Sequence, residues 1–348
     1  MRAEVPPVRE IRRGGMIYRR LGQTDIDVSL LSFGSHTDPR FKKKVEHGNV
    51  LLAEGQERRD RLIARALDRG VNLVDTYESE GQWEPMARLV AAGGSARRNK
   101  TLVSLCRQFP MFVGENIDRA AKLFGHVDLY RIYLSEGKAV DGKALADWEV
   151  LRKAKEAGTV RAIGISAHDE GMMLSAVREL EGIDYVMFPY NFIHARADYG
   201  EFLPEAARRG VGLIAIKPLA AGSIVKLDPR APGGTQPERD FVQLYQAKYR
   251  PLLPAVVADL TRSLEQMPEE TLCQAALRFV YSRPFLTAAM PGMFEDATLE
   301  DNFAGLRRQL ELSRGERAAL DAASRVAAVT EGQWLPGHYR WLDERWQG

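Results

Sequence analysis

The alternation of apolar and polar positions repeats one unit along this chain: a short apolar run, then a stripe of apolar residues at helical spacing. Apolar runs occupy residues 29–35, 71–76, 100–106, 128–134, 161–167, 185–191, 212–218 and 285–292. Runs this short and this uniformly apolar predict strands buried on both faces, as in a parallel sheet. Between them, Leu62, Ile63, Ala66 and Leu67 share one helix face over 57–69, which Gly70 stops. Trp148, Leu151 and Ala154 do the same over 145–157, ahead of Gly158. Eight strands alternating with helices in 348 residues predict a closed (β/α)8 barrel of the TIM type. An open doubly wound sheet is the alternative. Its glycine-rich turn is missing, because Phe33-Gly34-Ser35-His36 at the end of the first strand contains no G-x-G-x-x-G.

Two stretches interrupt the rhythm. Residues 36–55 are polar and basic, with Phe41-Lys42-Lys43-Lys44, and residues 226–268 mix Pro, Gly and charges before a helical 254–264. On a barrel both fall near the carboxyl-terminal mouth, where they shape a site, or they are surface elaborations and subunit contacts. The expected organisation is one domain over 1–348. It comprises a core of about 17–310, a hairpin ahead of the first strand, these two mouth-side insertions and a C-terminal helix and tail at 311–348.

Charge narrows the choice of partners. Lys and Arg number 49 against 47 Asp and Glu, a net charge of +2, which provides no field for nucleic acid or an anionic membrane. No apolar run is long enough to span a membrane, and no apolar segment follows Arg12-Arg13 as a signal peptide requires, so a cytoplasmic protein is expected. Two cysteines, Cys106 and Cys273, make no disulfide framework, and no His, Cys, Asp and Glu spacing matches a metal site.

A set of motifs on the expected strands resembles the aldo-keto reductase superfamily. Ile17-Tyr18-Arg19-Arg20-Leu21-Gly22-Gln23-Thr24 with Val28-Ser29 and Phe33-Gly34 resembles its opening hairpin and first strand. Gly70-Val71-Asn72-Leu73-Val74-Asp75-Thr76 resembles the second strand and Val127-Asp128-Leu129-Tyr130 the fourth. Lys155-Glu156-Ala157-Gly158-Thr159-Val160-Arg161-Ala162-Ile163-Gly164-Ile165-Ser166 resembles the run into the fifth. Pro189-Tyr190-Asn191, Lys217-Pro218-Leu219, and Pro291-Gly292 with Asn302 complete the series.

The resemblance implies a nicotinamide-dependent carbonyl reductase in which a Tyr donates the proton, tuned by Lys and Asp, while a His orients the substrate. Of these four, Asp75 stands at the aspartate position. Glu80 stands where the tyrosine belongs, Cys106 where the lysine belongs, and Tyr133 where the histidine belongs. An ionised carboxylate has no proton to give and repels a developing alkoxide. Loss of the lysine is also expected to leave Asp75 without a cation partner. On the cofactor side the resemblance implies contacts from Ser166, Asn191, Lys217, Gly292, Asp301 and Asn302. The usual amide and aromatic positions carry Ala167, Met187 and Ile216, and Glu295 stands where a 2′-phosphate would be met. NAD or NADP is therefore possible by resemblance, NAD fitting Glu295 better, and a chain with no dinucleotide stays open.

The mouth would still collect Asp75, Tyr77, Glu80, Cys106, Tyr133, Ser166, His168, Asn191 and Lys217. His168 is a candidate base, or a helix cap or structural histidine; Tyr77 is a candidate replacement donor; Cys106 is a nucleophile only if its pKa is lowered. Trp334, His338, Tyr339, Trp341 and Trp346 in the tail either line the pocket, as tails of the family do, or pack elsewhere or on a partner subunit. Three functions follow: a divergent enzyme doing acid–base chemistry on a small polar or carbonyl-containing substrate, a conventional NAD(P)-dependent oxidoreductase with a substituted proton donor, or a catalytically silent binding or scaffold protein. The first two take a small-molecule substrate; a homo-oligomer or protein partner would use the insertions and the aromatic tail.

Overall fold

The computed structural model describes residues 5–34, 36–45, 48–76, 82–107, 112–134, 137–193, 196–234 and 250–330. Two compact units compose the chain, one drawn from 1–188, 199–216 and 284–299, the other from 189–198, 217–283 and 300–348.

The first unit opens with an antiparallel sheet of β1 (Glu10–Arg13), β2 (Met16–Arg20) and β3 (Asp27–Ser29). The β1–β2 turn is Gly14-Gly15, at φ +56° and +83°. A two-residue hairpin turn needs that left-handed pair, and glycine adopts it without strain. The first insertion is not a plain loop: β4 (Lys42–Val45) and β5 (Gly48–Leu51) form an antiparallel hairpin. Lysines along β4 hide the strand from any reading of apolar alternation. The helix that follows, α1 (Ala53–Asp68), begins four residues ahead of the expected Glu57.

Seven parallel strands come next: β6 (Leu73–Asp75), β7 (Leu102–Cys106), β8 (Val127–Leu134), β9 (Val160–Ala167), β10 (Tyr185–Pro189), β11 (Gly212–Ile216) and β12 (Ala288–Met290), each paired with its sequence neighbours. The helices α2 (Trp83–Ala92), α3 (Gly94–Lys100), α4 (Val113–Phe124), α5 (Gly142–Glu156), α6 (Glu170–Glu179) and α7 (Phe202–Arg208) alternate with them. Residues 30–33 close the ring. Leu31 bridges Ala289 on one side and Phe33 bridges Val74 on the other, both in parallel. The expected first strand, 29–35, therefore divides: its start pairs with the hairpin and its middle with the barrel, as Leu30 N still bonds Ile17 O while Ser32 N bonds Ala289 O.

Alternate strand residues face the barrel interior. Leu73, Leu102, Leu129, Ala162, Tyr185, Met187, Ile214, Ala288 and Met290 pack there, joined by Leu21, Ile26 and Val28 of the hairpin. Gly22 lies against the backbone of Gly210, Gly212 and Asp184, so the hairpin covers the amino ends of β10 and β11. By the same period of two, Asp75, Ser104, Cys106, Arg131, Tyr133, Gly164 and Ser166 share the inner face toward the carboxyl ends.

The second unit is helical, with α8 (Leu253–Glu265), α9 (Leu272–Tyr281) and α11 (Arg314–Val329); α10 (Asp296–Arg307) runs from one unit's residues into the other's. Its core includes Ile224, Leu227, Leu260, Leu272, Ala276, Ala319, Ala323 and Val326. The expected helix at 254–264 is α8. No helix among the described residues is long and apolar enough to cross a membrane. The tail aromatics Trp334, His338, Tyr339, Trp341 and Trp346 lie outside the described residues.

Candidate active site

Asp75 is the last residue of β6, and strand register aligns it with Ser104. One further layer along, Cys106, Arg131, Gly164 and Tyr185 are aligned across β7, β8, β9 and β10. Arg131 reaches back to Asp75: Nη1 donates to Oδ1 at 2.6 Å and Nη2 to Oδ2 at 3.0 Å. Nη1 also donates to Ser104 Oγ at 2.9 Å, and that hydroxyl donates to Asp75 Oδ1 at 2.7 Å. Arg59, buried on α1 and stacked over the Phe33 ring at 5.3 Å, donates to the Asp75 carbonyl oxygen at 3.1 Å. The expectation that Asp75 lacks a cation is thus corrected. An arginine on β8 supplies the charge, and its planar fork satisfies both carboxylate oxygens as bidentate geometry requires. Burial disfavours the Arg131 charge, but Asp75 and the other groups around it outweigh that, and its pKa is raised.

Gly164, aligned with Arg131, makes room for Tyr185. A Cβ there would lie 2.7 Å from the Tyr185 ring, so the missing side chain is the space that ring occupies. The Tyr185 hydroxyl is buried with no hydrogen-bond partner among the described residues, and burial holds its pKa well above the usual 10.

Two residues beyond Arg131 on the same face, Tyr133 OH lies 3.1 Å from His168 Nδ1, with the rings edge to face at 5.7 Å. Burial, then the Cys106 sulfur, raise the Tyr133 phenol above 10. His168 follows the end of β9 and precedes α6. The cap of α6 is Asp169, whose side chain accepts from Met172 N at 3.1 Å, so the imidazole is not the cap. Cys106 is fully buried, and burial pushes its thiol up to about 11, which keeps it protonated at neutral pH. Ser166 completes the wall: its Oγ is buried and without a hydrogen-bond partner among the described residues. A buried hydroxyl left unsatisfied costs about 1–3 kcal/mol, which a ligand amide at that point would recover.

The barrel wall therefore gathers Asp75, Cys106, Tyr133, Ser166 and His168. Tyr77 and Glu80 lie outside the described residues. In the loop after β12, Gly292 follows Pro291, and Glu295 lies 3.7 Å from Arg40, which is also paired with Asp38. Ile216 is half-buried against the interior cluster, where Met187 is also packed.

The remaining positions belong to the second unit. Asn191 is buried and works locally, its Nδ2 donating to Lys217 O at 3.1 Å and its Oδ1 accepting from Ile193 N. Lys217 has a left-handed φ of +55°, and burial lowers its amine to about 8. Asp301 accepts from Gln274 Nε2 at 2.5 Å and lies 3.3 Å from Thr271 Oγ1, and burial raises its carboxyl. Asn302 is buried beside it.

Reading the sequence alone misses Arg131, Ser104 and Arg59. The available signal was a charge at an inward register of an otherwise apolar strand, Leu129-Tyr130-Arg131-Ile132-Tyr133.

Comparison with known proteins bears on the family and the fold. The model of the Aldo/keto reductase family matches residues 55–325. An "Aldo-keto reductase" of Mycobacterium avium (strain 104) is 27% identical over 169 residues, 47% of this chain but only 58% of that protein's length. The "L-glyceraldehyde 3-phosphate reductase" of Escherichia coli (strain K12) is 23% identical over 342 residues, covering 89% of this chain and 93% of its own. Among solved structures, the holo form of aldo-keto reductase AKR11C1 from Bacillus halodurans superimposes with a TM-score of 0.63 at 18% identity, covering 93% of this chain and 99% of that one, a likeness of fold. With a family model spanning 55–325 and an eight-membered parallel ring beneath it, the chain belongs to the aldo/keto reductase family.

Proposed function

We propose that this protein interconverts a small polar carbonyl compound and its alcohol with a nicotinamide dinucleotide as redox partner, and that Tyr133, not a residue of the loop after β6, carries the proton. The observation behind this reading is the 3.1 Å contact between Tyr133 OH and His168 Nδ1 on the inner wall. A phenol with a raised pKa is a weak acid toward water, but an alkoxide forming beside it is a far stronger base and takes the proton. His168, half-buried at the end of β9, resupplies Tyr133 through Nδ1. Asp75 takes no part as a base, because Arg131 and Ser104 occupy both of its oxygens. The protonated Cys106 has no nucleophilic role at neutral pH.

A bound nicotinamide would supply the hydride. Ser166 fits that group, its buried and unpartnered hydroxyl being suited to a carboxamide. Glu295 repels a 2′-phosphate, so NADH is expected to bind more tightly than NADPH. The E. coli relative's printed description, reduction of a phosphorylated three-carbon aldehyde, supports a small polar substrate. Apolar residues at Ala167, Met187 and Ile216 favour a second reading: acid–base chemistry by the same Tyr133–His168 pair without a hydride.

Calorimetric titration with NADH and NADPH, followed by aldehyde turnover in wild type and Tyr133→Phe, tests the proposal. Binding in the micromolar range with turnover lost in the variant supports it. No binding at millimolar dinucleotide refutes it and leaves the acid–base reading.

A further inference from the structure

We infer that Arg131 is the positioning residue of this wall: it ties the carboxyl ends of β6, β7 and β8 together so that Tyr133 meets His168. The inference rests on the reading of Tyr133 and His168 as the proton-carrying pair.

One guanidinium on β8 bonds to two other strands. Standing on β8, it holds the Asp75 carboxylate of β6 and, on β7, both Ser104 Oγ at 2.9 Å and Leu105 O at 3.5 Å. Stability alone does not call for this arrangement. A buried ion pair is often no better for stability than apolar packing of the same volume, and the interior cluster toward the amino ends is packed mainly with Leu, Ile, Met and Ala. The charge sits instead at the strand ends, where barrel enzymes carry their chemistry. Tyr133 follows Arg131 by two residues on the same face. The β8–β9 ladder ends at Tyr133–Ser166 and Leu134–Ala167, so His168 is one residue beyond the last pair. Where Tyr133 points relative to His168 therefore depends on how the end of β8 is held: the β9 ladder fixes one side of it, and Arg131 braces the other against β7 and β6. A lysine could not replace it, since a point charge on a flexible stem cannot bond in a fixed plane to β6 and β7 at once.

The test needs neither dinucleotide nor substrate. The His168 ring signal, assigned with His168→Gln, is titrated by NMR in wild type, Tyr133→Phe, Arg131→Lys and the double variant Arg131→Met/Asp75→Leu. The double variant removes both charges, so no lone carboxylate is left buried to unfold the barrel. Around the imidazole the relevant groups are Tyr133 on β8, Cys106 behind it on β7 and Asp169, which is engaged in capping α6. Tyr133→Phe is expected to move the His168 midpoint by about half a pH unit or more. Arg131→Lys and the folded double variant are expected to move it most of that distance with Tyr133 still present. A double variant that is folded and titrates as wild type overturns the role of Arg131 and leaves the Tyr133–His168 pair standing. A His168 midpoint unmoved by Tyr133→Phe overturns the pair itself, and this inference with it.

Discussion

Among the described residues, Arg131 and Arg278 are each buried against carboxylates that are themselves buried, and the surroundings differ. In the second unit, Arg278 on α9 is clasped by Glu270 and Glu316, and donates to the backbone oxygens of Gln309 and Glu311. Arg308 bonds to Glu270 at 2.8 Å, and Glu316 also closes the capping box of α11 with Ser313. That cluster joins helix ends and the connections between them. Arg131 in the first unit is equally buried, but it gives Nη1 and Nη2 to one carboxylate, whereas Arg278 reaches its carboxylates through Nη1 alone. Around Arg131, however, stand the Ser166 and Tyr185 hydroxyls, which have no hydrogen-bond partner among the described residues, and a tyrosine–histidine contact. Both places hold a buried guanidinium on carboxylates, but the Arg131 pKa is raised by its surroundings and the Arg278 pKa is lowered, chiefly by burial. What distinguishes a functional setting from a structural one is whether polar groups nearby still await a partner.

Four measurements would break or sharpen that contrast. The largest effect is expected from Tyr133→Phe, which should lower kcat by about 10²–10⁴-fold with thermal stability little changed; a variant that turns over normally removes the functional side of the comparison. Next, Arg278→Met should cost about 3–5 kcal/mol of stability by taking a cation from two buried carboxylates, of which only Glu270 keeps another in Arg308, and by releasing the Gln309 and Glu311 carbonyls, while activity per folded molecule is retained. Arg131→Met strands one carboxylate and should cost less in the same denaturant titration; the reverse order would mean that the wall is the structural cluster. The third concerns Cys106. Its folded pKa is raised from 9.0 to about 11, so the folded state holds that proton more tightly than the unfolded chain does. The stabilisation is complete below about pH 9 and lost as pH rises through about 11, a decline of about 2–3 kcal/mol. Cys106→Val should flatten the difference in stability between pH 8 and 11, and identical profiles would contradict a buried thiol. Smallest is Ser166→Ala, expected to weaken dinucleotide binding by about 5–10-fold, the worth of about one hydrogen bond, without loss of stability, since no protein partner is forfeited.

The ring of strands was legible because period and length agree: buried parallel strands are short, apolar and followed by striped helices stopped at glycines such as Gly70 and Gly158. Boundaries were less so. The apolar run at 29–35 spans a change of partner from hairpin to barrel, which no local pattern records. The β4–β5 hairpin was hidden by its lysines. In the site, Asp75, Tyr133, Ser166 and His168 could be named because each sits in a motif or at a strand end. Arg131 could not, since its importance arises from Asp75, 56 residues earlier, and only the closing of the ring brings the two together. The pairing of Tyr133 with His168 is of the same kind, joining β8 to the loop after β9 through side chains 35 residues apart.

The ring is also mechanically uneven. β8 and β9 are laced by seven registered pairs, whereas residues 30–33 join each neighbour through a single bridge. As in a hooped cask, one thin stave sets where the vessel springs first. Amides of Ser32, Phe33 and Ala289 should exchange their hydrogens with solvent well before those of β8. Asp75 N is bonded to Phe33 O at 2.9 Å, so each breath of that seam loosens the backbone beneath the carboxylate that Arg131 grips. The fold thus places its give one hydrogen bond away from the buried electrostatic clasp of Asp75 and Arg131.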